Sequence, residues 1–227
     1  REFRRHIKRV KSDCVIIGEN WHNAVSYLRG DQYDSIMNYA YTKACLDYFI
    51  NGVFSAKDMS EKLSALLMRN TNQTNQMMLN LLDSHDTHRF VTQAKSNINK
   101  LMSALTLTYM FIGVPCIYYG TENAMEGDYD PDCRRCMDWT KAHTETHLKS
   151  LIRTLGSLRQ SGLLAGHNIT FDSVQGLLKV ERICSNTKLT YYTNMTKNSI
   201  FIKVSDVIES SLYSDNLLQS GGFILSK

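Results

Sequence analysis

The chain has 227 residues, of which 43% are hydrophobic, as in an ordinary globular protein with one large domain or one and a half. Its formal net charge is +4, and the basic residues are scattered, which argues against a nucleic-acid-binding protein. No apolar run is long enough to cross a bilayer, so we expect no membrane partner. Only Cys133 and Cys136 form a CxxC pair, and a zinc site would need a second pair. Free thiols in a reducing compartment are the simpler interpretation, so we expect a cytoplasmic protein.

Helical and strand-like patterns alternate through the first 165 residues. Apolar runs predict strands at residues 14–18, 34–39, 77–84 and 114–120. Helical spacing of apolar residues is found at residues 1–11, 42–50, 98–109 and 147–158. A further helix is predicted after a capping box at residues 55–58. Residues 70–76 are predicted as a polar loop and 121–142 as a long loop, which in a compact domain is usually functional. This alternation indicates parallel βαβ units.

After Gly166 the apolar pattern changes to a period of two. Alternation at residues 189–194 and 200–204 predicts antiparallel strands joined by polar turns. We therefore predict a domain boundary near residue 165. Four parallel strands are half of an eight-stranded barrel, although a doubly wound sheet fits the alternation equally well. No glycine-rich phosphate loop follows any predicted strand, which disfavours a nucleotide-binding protein.

Charged and imidazole groups follow two of the predicted strands. Glu19 and His22 come after the first, and His85 and Asp86 come after the third. In parallel α/β folds the chemistry sits at the carboxyl ends of strands. Two carboxylates at such ends suit glycosidic bond cleavage, which needs one acid held protonated and another held ionised. The structural alternative is that Asp86 or Thr87 caps the next helix, and for that segment alone it would be preferred.

Five segments resemble motifs of the α-amylase family, glycoside hydrolase family 13. Three match the family as a whole: GENWHNA at 18–24, LLDSHDTHR at 81–89 and GVPCIYYGTE at 113–122. Two resemble its neopullulanase, cyclomaltodextrinase and maltogenic amylase branch: LRGDQ at 28–32 and DPDCRRCM at 130–137. The resemblance covers nearly the whole chain in the expected order, and jointly the motifs are highly specific.

The resemblance implies an α/β fold in which residues 1–165 form the C-terminal half of a (β/α)8 TIM barrel, strands five to eight. Residues 166–227 would form an all-β antiparallel sandwich domain. In the family the catalytic nucleophile is an aspartate at the end of strand four, which would precede Arg1. The chain also begins without methionine, inside a helical pattern. We therefore expect a C-terminal piece of a longer enzyme, inactive when isolated.

The same resemblance assigns roles to individual residues. Glu19 would be the general acid/base, and Asp86 would stabilise the transition state. The residues expected to contact substrate are His85, Trp21, His22, Arg89, Asp130 and Arg134. Structural alternatives remain for several of them: a salt bridge for Glu19, core packing for Trp21 and a surface ion pair for Arg89. We expect no cofactor and no metal in this segment, with calcium possible elsewhere in the full enzyme.

The implied function is a retaining glycoside hydrolase that acts on α-1,4-glucosidic bonds of cyclodextrins, pullulan or maltooligosaccharides. The full-length enzyme is expected to be a homo-oligomer. An alternative is a non-catalytic, amylase-like scaffold or glucan-binding protein, against which the retention of Glu19 and Asp86 argues. Four positions depart from the branch pattern, namely Asn20, Asn23, Ala40 and Asp83. None of them removes a catalytic group, but they leave the preferred substrate open.

Overall fold

The computed structural model describes residues 1–227. The helices are α1 Glu2–Val10, α2 Tyr39–Cys45, α3 Ala56–Leu67, α4 Asn72–Met77, α5 Phe90–Gln93, α6 Ile98–Met110, α7 Trp139–Ala142 and α8 His147–Gln160. The strands are β1 Ile17–Gly18, β2 Ser35–Ile36, β3 Leu79–Asn80, β4 Val114–Pro115, β5 Asn168–Val174, β6 Leu177–Cys184, β7 Thr187–Thr193, β8 Ile200–Phe201, β9 Val207–Ser214 and β10 Leu217–Ser226. None of these helices combines the length and apolar character needed to cross a membrane.

The first four strands form a parallel array that is interleaved with helices. β1 pairs with β2, and β3 pairs with β4, both in parallel. A parallel bridge between Met37 and Leu79 joins the two pairs, and the Asn38 amide donates to the Leu79 carbonyl at 2.8 Å. The spatial order is therefore β1-β2-β3-β4, which is the arrangement of half a (β/α)8 barrel and confirms the predicted fold class.

Helices α3 and α6 supply much of the core of this half-barrel. The predicted capping box is present, because Ser55 and Asp58 each accept from the other's backbone N–H at the start of α3. On α3, Met59 and Leu63 are fully buried. In α6, every residue from 101 to 110 is buried, so this helix lies inside the molecule. The helical spacing of apolar residues in both segments thus reports burial, as predicted.

The C-terminal region is antiparallel, with strand order β5-β6-β7-β10-β8 and β9 paired with β10. Its inner face shares one hydrophobic cluster with the half-barrel helices, to which Val180, Tyr191 and Phe223 contribute. Arg182 of β6 is also buried there, and its Nη1 donates to the carbonyls of residues 109, 110 and 111 at the end of α6. Burial, reinforced by the nearby Arg159, lowers the pKa of Arg182 to about 10. The division into domains at residue 165 stays a prediction.

Several predicted boundaries were wrong. Residues 72–77 are helical rather than loop, because the Thr71 hydroxyl caps α4 by accepting from the Thr74 amide at 3.3 Å. The predicted strand at 77–84 is reduced to β3, and the other three parallel strands are also two residues long. The long loop contains two 3-10 turns and α7. Strand β6 was missed because its alternating buried positions include a charged residue, Arg182.

Candidate active site

Glu19 follows β1 directly, at the carboxyl end of the parallel array. Its carboxylate is 41% exposed, and its Oε1 accepts a hydrogen bond from the Tyr39 hydroxyl at 3.2 Å. The same oxygen lies 3.6 Å from His85 Nε2. Because Tyr39 begins α2 right after β2, and His85 follows β3, three neighbouring strand ends meet at this one carboxylate.

Asp86 lies beside the same imidazole nitrogen as Glu19. Its Oδ2 is 3.3 Å from His85 Nε2, and its Oδ1 is 3.0 Å from Arg134 Nη2. One side-chain atom each from Glu19, His85 and Asp86 lie within 4.8 Å of one another. The structure therefore brings together two carboxylates that lie 67 positions apart in the sequence.

The turn that carries His85 and Asp86 is held by hydrogen bonds from its own side chains. The Ser84 amide donates to Thr87 Oγ1 at 2.8 Å, and the Asp86 amide donates to Ser84 Oγ at 3.2 Å. Asp83 accepts from the Phe90 amide at 2.9 Å and is almost completely buried. Burial raises the pKa of Asp83, although the hydrogen bond from Phe90 opposes this. Asp83, noted above as a departure from the branch pattern, thus anchors the turn to α5.

Arg134 connects the turn to the loop between β4 and α8. Its Nε lies 2.7 Å from Asp130 Oδ1 and also donates to the His85 carbonyl at 3.0 Å. The buried thiol of Cys133 donates to the same carbonyl at 3.0 Å. The structure therefore places Asp130 and Arg134 beside Asp86, and Cys133 supports the backbone beneath His85.

Arg89 lies apart from this cluster. Its side chain is fully buried, and its guanidinium donates to the carbonyls of Cys133 at 2.9 Å and Tyr119 at 2.6 Å. The guanidinium also lies 4.0 Å from the ring centre of Tyr118, within range of a cation–π interaction. Arg89 is therefore not in the surface ion pair that was its structural alternative. Its buried side chain instead holds a junction between loops, out of contact with solvent.

Trp21 stacks on Tyr39 beside Glu19. Their ring centres are 3.6 Å apart with 12° between the planes, and half of Trp21 is exposed. Both rings and His22 line an open groove of about 530 Å³ on one side of Glu19. Neither Glu19 nor Asp86 lines this groove, but Tyr39, which does, donates to Glu19. Core packing of Trp21 is thus only half correct, because one part of the ring faces solvent.

Two residues of the cluster, Tyr39 and Ser84, were missed in the sequence. Ser84 Oγ lies 3.1 Å from the Tyr39 hydroxyl, and both residues are buried. Tyr39 lies three residues beyond the end of β2, whereas the apolar run predicts a strand that includes it. Only the shorter observed strand makes Tyr39 a strand-end group.

The cluster offers one imidazole and two carboxylates, which are all possible metal ligands. The three side chains Glu19, His85 and Asp86 are close enough to share a cation. However, the Arg134 guanidinium lies 3.0 Å from Asp86 and would repel a cation held there. The arrangement instead favours an uncharged ligand with many hydroxyl groups, because it presents both hydrogen-bond acceptors and donors within a few ångströms.

Comparison with known proteins shows the family to which the chain is similar. The family model of the α-amylase catalytic domain matches residues 1–160. A cyclomaltodextrinase from Thermoanaerobacter pseudethanolicus is 35% identical over 99% of this chain and 40% of its own length. Neopullulanase 2 of Thermoactinomyces vulgaris is 40% identical over 74% of this chain and 30% of its own length.

A solved structure of cyclic α-maltosyl-(1→6)-maltose hydrolase from Arthrobacter globiformis, in complex with maltose, shares the fold. Its TM-score is 0.83 at 25% identity, over 100% of this chain and 52% of that one. The chain spans about 40% of the length of the cyclomaltodextrinase that it matches. The family model covers well over half of the chain, and the parallel array carries the strand-end carboxylates. The chain therefore belongs to the α-amylase family.

Proposed function

We propose that this chain is part of a retaining α-glucan hydrolase of the neopullulanase and cyclomaltodextrinase type. The observation that carries the proposal is the approach of Glu19, His85 and Asp86 to within 4.8 Å at neighbouring strand ends. The names of the relatives support a substrate with α-1,4-glucosidic bonds, such as a cyclodextrin, pullulan or a maltooligosaccharide. The activity belongs to a longer protein, because the proposed mechanism needs a nucleophile.

Glu19 acts as the general acid and base. In the first step the nucleophilic aspartate, which in the family follows the fourth strand of the full barrel and precedes the residues of this chain, attacks the anomeric carbon. Glu19 gives its proton to the departing glycosidic oxygen. In the second step water attacks the same carbon, Glu19 takes a proton from it, and the bond to the nucleophile breaks. The open position of Glu19 beside the groove suits this role, because the carboxyl must reach both the leaving oxygen and water.

Asp86 and His85 bind the sugar at which the bond is broken. Asp86 accepts from sugar hydroxyls and favours the distorted ring of the transition state. Trp21 stacks on an acceptor sugar through its exposed face, and His22 lies next to it on the same groove. Asp130 and Arg134 contact sugars further along the donor side. Arg89 has no direct contact with substrate in this proposal.

The free cysteines suit a reducing compartment, so we place the protein in the cytoplasm. We also propose that the longer protein is a homo-oligomer. The isolated chain is inactive because it supplies Glu19 and Asp86 but forms no glycosyl–enzyme intermediate.

The test is a chimera in which this chain replaces the matching 40% of the Thermoanaerobacter pseudethanolicus cyclomaltodextrinase. The chimera is expected to hydrolyse β-cyclodextrin. Glu19→Gln should lower kcat about 10³-fold, because general acid catalysis contributes a factor of this size. Glu61→Gln, on the exposed face of α3, is the matched control and should leave kcat unchanged.

Two results would overturn the proposal. Hydrolysis by the isolated chain at enzymatic rates would show that no outside nucleophile is needed. A folded chimera without activity, prepared beside an active parent enzyme, would favour the non-catalytic scaffold instead. Circular dichroism and gel filtration of each variant separate this second result from a failure to fold.

A further inference from the structure

We infer that Tyr39 is a positioning residue that orients the Glu19 carboxyl through a chain of hydrogen bonds from the Asp86 backbone. The chain runs from the Asp86 amide to Ser84 Oγ at 3.2 Å, from there to the Tyr39 hydroxyl at 3.1 Å, and on to Glu19 Oε1 at 3.2 Å. It links the Glu19 carboxylate to the Asp86 backbone across the ends of β1, β2 and β3. This inference rests on the proposed function of Glu19.

The direction of the hydrogen bonds is fixed at one end. The Asp86 amide is a donor only, so Ser84 Oγ accepts from it and keeps its own proton for Tyr39. Tyr39 then has its proton available for an ionised Glu19. When Glu19 is protonated, it can donate to the Tyr39 oxygen, and Tyr39 can turn its proton towards Ser84. The hydroxyl pair thus holds the Glu19 carboxyl in both protonation states that a general acid and base must adopt.

Burial keeps Tyr39 in its neutral, donating form. The side chain is 6% exposed, and the stacked Trp21 ring covers one of its faces. Burial raises the pKa of Tyr39 to about 12, and the adjacent Glu19 carboxylate adds to the shift. The phenol therefore carries its proton throughout the range in which glycosidases work. A hydrogen bond from a buried neutral donor to an ionised carboxylate is about twice as strong as one between neutral groups.

Contacts of its backbone, together with the stacking on Trp21, hold the Tyr39 hydroxyl in position. Tyr39 is the first residue of α2, and the Asn38 side chain caps that helix by accepting from the Tyr41 amide at 3.3 Å. The backbone N–H of Asn38 donates to the carbonyl of Leu79 in β3. The phenol is therefore held from its backbone, its ring and its hydroxyl at once, which is the kind of support that keeps a catalytic group within a fraction of an ångström.

The first experiment follows the ionisation of Glu19 in the isolated chain, which requires no activity. The protein is labelled with ¹³C-glutamate, and the Glu19 Cδ signal is identified by its loss in Glu19→Gln. In Tyr39→Phe its titration curve should move to higher pH, because the ionised carboxylate loses a hydrogen-bond donor. Ser84→Ala should move it in the same direction by less, since Tyr39 remains.

Tyr41→Phe is the matched control on the same helix. It also removes one buried phenol hydroxyl. That hydroxyl is hydrogen-bonded to Thr108 Oγ1 at a distance of 3.1 Å, and it makes no contact with the site. This change should lower stability but leave the Glu19 titration where it is. An unshifted curve in Tyr39→Phe, or an equal shift in Tyr41→Phe, would overturn the inference. If Tyr39→Phe does not fold, the response of Ser84→Ala decides in the same way.

The second experiment uses the chimera and separates the inference from the proposed function. Tyr39→Phe should lower kcat about tenfold, leave KM within about twofold, and move the alkaline limb of the kcat/KM profile to higher pH. A residue that only supports the fold would not move that limb. Activity that survives Tyr39→Phe unchanged, in a chimera that Glu19→Gln inactivates, would refute the role of Tyr39 and leave that of Glu19 intact.

Discussion

The half-barrel and the C-terminal region build their sheets in opposite ways. Each of the four parallel strands β1 to β4 contributes two residues to a ladder, whereas β5, β6, β7, β9 and β10 contribute seven to ten. All the candidate site residues lie on the side with the short ladders. The short backbone ladders of the half-barrel end before the candidate site residues. Other contacts must therefore hold these strand ends in place.

Side chains take over that task in the half-barrel. Asn38 Nδ2 donates to Asn80 Oδ1 at 2.9 Å, and Asn80 Nδ2 donates to the Ile112 carbonyl at 2.9 Å. The Thr42 hydroxyl donates to the Leu81 carbonyl at 2.8 Å. The first two of these buried bonds link residues in or beside neighbouring strands, and the third links α2 to the residue after β3. The C-terminal sheet needs few such bonds between its strands, because its antiparallel ladders satisfy the backbone directly.

The largest effect is expected at the contact between the two regions. Arg182→Met should lower the free energy of unfolding by about 3 kcal/mol, because three buried carbonyls at the end of α6 lose their donor. Urea unfolding gives the magnitude, and hydrogen exchange read by mass spectrometry shows where it acts. Exchange should speed up in both α6 and β7, which share one core. Acceleration confined to the C-terminal sheet would show that the regions unfold separately.

Arg153→Met is the control for this substitution. Arg153 lies on α8 with an exposed guanidinium that pairs with Glu145 on the surface. Such exposed pairs contribute little, so the control should leave the free energy of unfolding nearly unchanged.

A smaller effect is expected at Asp34, which ties α1 to β1. Its carboxylate accepts from the Ile16 amide at 2.9 Å and pairs with Arg4 at 2.7 Å and Lys8 at 3.0 Å. Burial raises the pKa of Asp34, but the Ile16 amide, Arg4 and Lys8 together outweigh it and lower the pKa below its ordinary value. Asp34→Asn should therefore cost about 2 kcal/mol at neutral pH.

The pH dependence provides the check on Asp34. Because its pKa is lower in the folded protein, its contribution is present above the ordinary value near 4 and is lost as the pH falls through the folded value. Unfolding curves of wild type and Asp34→Asn should converge as the pH falls through this range. Asp206→Asn, at an exposed turn before β9, is the control and should show no such convergence. Parallel curves for Asp34→Asn would contradict the assignment.

The smallest effect on stability, but a visible one on assembly, is expected at the edge strand β1. Ile17 is 46% exposed on a parallel strand that has a partner on one side only. Exposed apolar strand edges promote association. The isolated chain should therefore self-associate in gel filtration with light scattering. Ile17→Lys should shift it towards monomer, while Val207→Lys on β9 should not, and equal shifts would place the contact elsewhere.

The prediction of the fold succeeded where the apolar pattern reports burial on its own. Helix α6 and the capping box of α3 are examples, because helical spacing and a local cap require no information from distant residues. The boundaries of β3 and α4 failed because a polar segment became helical through the cap at Thr71. The role of Arg89 also escaped prediction. The sequence favoured contact with substrate or a surface ion pair, but the carbonyls of Tyr119 and Cys133 to which it donates are distant in sequence.

The alternation of strands and helices in the first 165 residues, the change to antiparallel pairing and the placement of Glu19 and Asp86 after predicted strands followed from the sequence alone. These features depend on local periodicity and on residue types at strand ends. Only the tertiary structure decided which groups meet: that Tyr39 and Ser84 link the Glu19 carboxylate to the Asp86 backbone, and that Arg182 joins the two regions. Such contacts join positions that are far apart in the chain and that approach each other only after the parallel strands are aligned. Because a hydrogen bond forms only when donor and acceptor are about 3 Å apart, the sequence does not reveal which groups will pair.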